Sequence, residues 1–161
     1  MTPAIMAAIA GILGIAIGRF WDTRTESSRW HRDQKTTSYQ RFAEQFRITY
    51  ETLRAIALTD PESPAATEMI REARTSSFQP WDSACAAVWL HGEVDVVTTA
   101  SELDQALTEL AAKAQEHLLT VADWNAARVP AREAFERFVH AARHELNLPA
   151  VAVRFIIDAE N

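Results

Sequence analysis

His140 and His144 stand four residues apart in a stretch of helical periodicity, with Glu136 one turn earlier. On one face of a helix that spacing offers two imidazoles and a carboxylate to a metal ion. No H-E-x-x-H occurs, however, and the sequence identifies no third strong ligand. With Arg137 and Arg143 alongside, the histidines read more simply as part of a solvated face. His31, His91 and His117 are isolated and read the same way. The single cysteine, Cys85, has no flanking feature of an activated thiol and fits a small buried side chain. Only Gly11, Gly14, Gly18 and Gly92 are available, so a Gly-rich phosphate loop is excluded, and no G-x-S-x-G occurs. Carboxylate pairs such as Glu102 with Asp104, or Glu44 with Glu51, are ordinary on an acidic helix surface. The chain is read as a non-enzyme with no catalytic residue and no cofactor.

The elements that would position these groups follow from composition and periodicity. At 161 residues, with 4 Gly, 6 Pro and 48% apolar residues, the chain suits one helical domain better than a turn-rich β fold. A lone cysteine rules out an internal disulfide framework. Tyr39, Phe42, Phe46, Leu53 and Ile56 recur at steps of three and four, which predicts a helix over residues 38–58 that ends at the Pro61 and Pro64 punctuation. A short helix over 64–74 follows. Further helices are expected over 80–91 (Trp81, Cys85, Val88 and Trp89 inward, Gly92 as the stop), over 94–123 (Val97, Leu103, Leu107, Leu110, Ala114, Leu118 and Val121 inward) and from Pro130 to Asn147 (Phe135, Phe138, Ala142 and Leu146 inward). The expected body is an all-α antiparallel bundle of about four helices. Its tail, residues 150–157, is more apolar than a free terminus should be. That tail docks back on the bundle or, through Phe155, on a partner.

Residues 1–18 carry no charged side chain and would span roughly 27 Å as a helix, just enough to cross a bilayer. Phe20 and Trp21 would sit at the interface, and Arg19 and Arg24 begin the positive charge on the C-terminal side only. The expectation is a single transmembrane anchor over 1–21, a basic neck over 22–37 and a bundle domain over 38–161. By the positive-inside rule the N-terminus would lie outside and the body in the cytoplasm, placing the protein in the cytoplasmic membrane. No Pro or Gly falls between Gly18 and Pro61, so anchor and first body helix can form one rod, with residues 25–28 as the natural break. Ala10, Gly14 and Gly18 recur at spacing four, a pattern that lets membrane helices approach closely.

Residues 19–35 hold five basic and three acidic side chains, a local excess of two positive charges, which leaves about −8 on the rest of a chain of net charge −6. A clustered basic surface is missing beyond the neck, so nucleic acid is excluded as a partner. Membrane lipid is expected at the neck. Trp30 with Arg29 and Arg32 is the expected protein-binding cluster.

Arg29-Trp30-His31-Arg32-Asp33 followed by Tyr39-Gln40-Arg41-Phe42, then Val88-Trp89-Leu90-His91-Gly92, then Ala134-Phe135 to Ala142-Arg143-His144-Glu145-Leu146, resemble small helical proteins widespread in actinobacteria. That resemblance covers most of residues 1–148 apart from 61–80. It implies an N-terminal membrane helix and a helical cytoplasmic domain, and it carries over no catalytic residue. The function expected on these grounds is a non-catalytic membrane-anchored accessory or adaptor protein, such as a small subunit of a membrane complex. It would pair with another membrane helix or with itself. Two alternatives are a membrane-tethered phage-defence or superinfection-exclusion factor and a metal-dependent enzyme using His140 and His144.

Overall fold

The first helix, α1 (Pro3–Leu58), runs unbroken for 56 residues, with no break at residues 25–28, and beyond Gly18 neither proline nor glycine interrupts it. The computed structural model describes residues 3–59, 63–64, 67–68, 71, 79–116 and 119–152, with side chains from residue 30 onward apart from that of Glu116. Among the described residues four further helices have defined bounds: α2 (Gln79–His91), α3 (Val94–Glu116), α4 (Val121–Ala127) and α5 (Val129–Glu145). The short helix expected over 64–74 lies largely outside the described residues, as do His117, Leu118 and Phe155.

The helices form a four-helix bundle in which α2 packs along α1 and α3 along α5, with α4 a short turn leading into α5. The α1 seam is buried as its spacing predicts: Phe42 and Phe46 are fully enclosed, and Tyr39, Tyr50, Leu53 and Ile56 nearly so. Facing it, α5 runs antiparallel, since Phe138 packs on Phe42 and Phe135 stacks on Phe46, one turn later in α1 and one turn earlier in α5. Trp81 of α2 closes the aromatic core by stacking on Phe42 at 4.8 Å. Offset aromatic contacts of this kind add modestly to the larger gain from removing the rings from water.

Two expected boundaries shift for local reasons. The helix predicted over 94–123 ends at Glu116, and a new one starts after Thr120, whose hydroxyl accepts from the Asp123 amide at 3.1 Å. Capping of this sort satisfies an amide that the first helical turn leaves without a partner. Leu119 donates to the Ala57 carbonyl at 2.9 Å, tying the connection to the end of α1. The break turns the chain, so Val121 is exposed rather than buried, and Trp124 fills the core instead. In α3 the core position is Val96, with Val97 only half-buried. At its other end α5 closes with Asn147 at φ 55, where the Leu148 amide reaches the Arg143 carbonyl and the Asn147 amide reaches that of His144. This is a left-handed stop at a residue type that tolerates it.

The transmembrane anchor is corrected. Among the described residues, no helix is long and apolar enough to cross a membrane. Residues 3–29 are backbone of α1 rather than a separate element. Their side chains, and with them the roles expected for Ala10, Gly14, Gly18, Arg19, Trp21, Arg24 and Arg29, lie outside the described residues. Where the side chains of α1 are described, an apolar seam alternates with charged residues such as Arg41, Glu44 and Arg47, and that seam faces the protein core. The membrane-complex subunit, the membrane-tethered exclusion factor, the lipid contact, the paired membrane helix and the cytoplasmic-membrane location all depended on that span and fall with it.

The turn between α2 and α3 is unusually tight. Gly92 donates to the Val88 carbonyl at 2.7 Å, and a β-carbon there would stand 2.8 Å from that oxygen and 3.3 Å from the Tyr39 hydroxyl. Gly92→Ala is therefore expected to lower stability by about 1–3 kcal/mol in urea denaturation, because backbone must shift to admit the methyl group.

Candidate interaction surface

The first groups to test are those that could do chemistry. His140 and His144 are both exposed, and among the described residues no group of three or more His, Cys, Asp or Glu is placed to hold a metal ion. The metal-dependent alternative is corrected on that ground. Cys85 is buried on α2, and burial first, then the nearby Asp104 and Asp82 carboxylates, push its thiol up to about 12. It stays a neutral thiol near neutral pH, the opposite of what a nucleophile needs.

A groove of about 410 Å³ runs beside it between α1, α2 and α3, bounded by Thr49, Asp82, Asp104 and Thr108. Asp104 is not simply a surface charge. It accepts the Trp81 indole N–H at 2.6 Å and so satisfies the one polar atom of a buried ring.

At the opposite reach of α2 the polar groups gather around Glu145, a residue that no motif or periodicity singles out. Its side chain is 4% exposed although it is the last residue of α5. The Lys35 ammonium meets one carboxylate oxygen at 2.5 Å, and the Tyr39 hydroxyl donates to the other at 2.7 Å. The Glu93 backbone amide donates to that second oxygen at 3.2 Å. Burial alone would raise the Glu145 carboxyl, but the ammonium, the hydroxyl and the amide outweigh it and hold the group below the usual glutamate value. Lys35 is held above its usual value, chiefly by Glu145. Tyr39 is raised by burial and then by the same carboxylate.

Neighbouring contacts extend this junction. Lys35 also pairs with Glu93 at 3.2 Å, Arg32 donates to the Leu146 carbonyl at 3.1 Å, and the Ser38 hydroxyl lies 2.8 Å from Nδ1 of His91. Two side chains assigned to other roles are thus occupied here. Arg32, expected to contact a partner, caps the end of α5, and His91, read as isolated, joins α2 to α1. A shallow groove of about 410 Å³ opens next to Glu145, lined by Glu93, Val94, Asp95, Ala141 and His144.

Around this polar junction the surface turns apolar. Trp30, Trp89, Leu90, Val94 and Leu148 are exposed, Leu90 and Val94 to about 80%. All five belong to the end of the bundle where Lys35 meets Glu93 and Arg32 meets Leu146, whereas Ile48, Val121, Val129 and Val151 are not placed there by those contacts. Single exposed apolar residues are commonplace, but these five belong to segments that meet at one end of the bundle. Trp30 was expected as a partner contact and is 57% exposed, while Trp89 was expected in the core and is 54% exposed. Comparison with protein-family models, curated proteins and solved structures gives no match to this chain.

Proposed function

We propose that this protein is a non-catalytic interaction module whose apolar end, built from Trp30, Trp89, Leu90 and Val94, pairs with a second copy of the chain. The observation that carries the reading is the gathering of five exposed large apolar side chains at one end. Charge supports a second copy as the occupant. Glu93 and Asp95 are exposed at this end, and on α1 Arg32 is exposed and Lys35 partly so. Two copies meeting through their ends set opposite charges against each other around an apolar centre.

Sedimentation equilibrium of the full chain tests this, with the Leu90→Glu, Val94→Glu double variant beside it. The expected result is a reversible dimer that the double variant weakens by at least about tenfold, equivalent to 1.4 kcal/mol. A monomer at every accessible concentration overturns the proposal. So does co-sedimentation of the chain as a monomer with phosphatidylcholine–phosphatidylglycerol vesicles.

A further inference from the structure

The stretch of α1 between residues 30 and 37 contains no buried side chain, in contrast to the fully enclosed seam that starts at Ser38 and Tyr39. Nothing apolar fixes its position. What holds it are polar contacts: Lys35 to Glu145 and Glu93, Arg32 to the Leu146 carbonyl, and Ser38 to His91. The most enclosed of these partners is Glu145, which besides Lys35 takes the Tyr39 hydroxyl and the Glu93 amide.

The helix is also weakened at the point where the apolar seam gives out. Thr36, Thr37 and Ser38 are consecutive, and each hydroxyl donates to the carbonyl four residues back, at 2.9 Å in all three cases. Such back-bonding competes with the helical amide for its acceptor and favours bending.

We infer that Glu145 is a latch that fixes the direction in which α1 leaves the bundle, with the hydroxyl triplet at residues 36–38 as the bending point once the latch opens. The latch does not depend on dimer formation. It sets where Trp30 stands relative to Leu90 and Val94, so it decides whether the apolar end is presented as one surface.

The test is a distance measurement on the full chain. Spin labels are placed at Trp30→Cys and Ser101→Cys, both exposed positions, in a Cys85→Ala background, and their separation is read by double electron–electron resonance with the protein diluted below its dimerisation range. One narrow distance is expected with Glu145 in place. Glu145→Gln and Lys35→Met should each broaden it and shift it by about 5 Å, since a bend of roughly 25° at Ser38 acts over about 12 Å of helix. Glu133→Gln, on the exposed face of α5, should leave it unchanged. If Glu145→Gln does not fold, Lys35→Met decides, because Lys35 is already a quarter exposed. An unchanged narrow distance in folded variants, even less stable ones, overturns the inference.

Discussion

Phe42→Ala is expected to lower the free energy of unfolding by about 4 kcal/mol, within the range for emptying a fully buried aromatic position. The ring is fully enclosed, stacks on Trp81 at 4.8 Å and packs on Phe138 at 4.6 Å. It therefore joins α1, α2 and α5 at one point. Alanine would forfeit the transfer free energy of the ring and leave a space that three helices cannot close without moving together, since Trp81 is tethered by its bond to Asp104. Domains of this size are commonly stable by about 5–15 kcal/mol, so the variant should sit near the limit of folding. Urea denaturation followed by circular dichroism reads the effect. Ile48→Ala, on the exposed side of the same helix, should change stability by less than about 0.5 kcal/mol.

Phe42 belongs to the part of the fold that was legible before any coordinates. Helical period and burial agree along α1, because a seam at steps of three and four has only one way to face a core. The agreement fails where a local bond outweighs the pattern. The run of Leu103, Leu107 and Leu110 extends smoothly to Leu118 and Val121 in sequence, yet the Thr120 hydroxyl starts a new helix there and sends Val121 to the surface. Trp89 directly follows Val88, about 100° further around the helix, and the buried face of α2 is made by Trp81, Ala84, Cys85 and Val88 instead. The membrane span shows the opposite failure. Absence of charge over residues 1–18 reads as a membrane span, whereas among the described residues no helix is long and apolar enough to cross a membrane.

The site was far less legible than the core. Trp30 could be picked out as an exposed aromatic beside arginines, but its companions Leu90 and Val94 flank Gly92 and looked like ordinary helix ends. Glu145 was invisible because its importance lies in contacts more than a hundred residues away in sequence, to Lys35 and Tyr39. A carboxylate at a helix C-terminus faces the negative end of the helix dipole, which is a poor place for it unless something compensates. That mismatch is the one signal that could have drawn attention to it, and the ammonium, hydroxyl and amide around it are the compensation.

Glu145→Gln should accordingly cost about 2 kcal/mol at neutral pH, by leaving the partly buried Lys35 ammonium with only the exposed Glu93 as counter-charge. The dependence on pH separates charge from shape. The carboxyl is held below its ordinary value in the fold, so its contribution is fully present above the unfolded glutamate range and is lost as pH falls through the lowered folded value. Lys35 and Tyr39 are both raised in the fold, so their contributions are present below their unfolded values and disappear as pH climbs through the folded ones. Stability of the parent chain should therefore form a plateau between these limits. In acid, the parent's carboxyl becomes neutral like the amide, and the difference between parent and Glu145→Gln should shrink towards zero. In alkali it should shrink again as Lys35 gives up its charge. Urea titrations of both proteins from acid to alkali would show the two curves converging at each end. A gap that stays constant across the range would mean that Glu145 acts through its shape and its hydrogen bonds to neutral groups, and that the ion pair with Lys35 contributes nothing to holding α1 against α5.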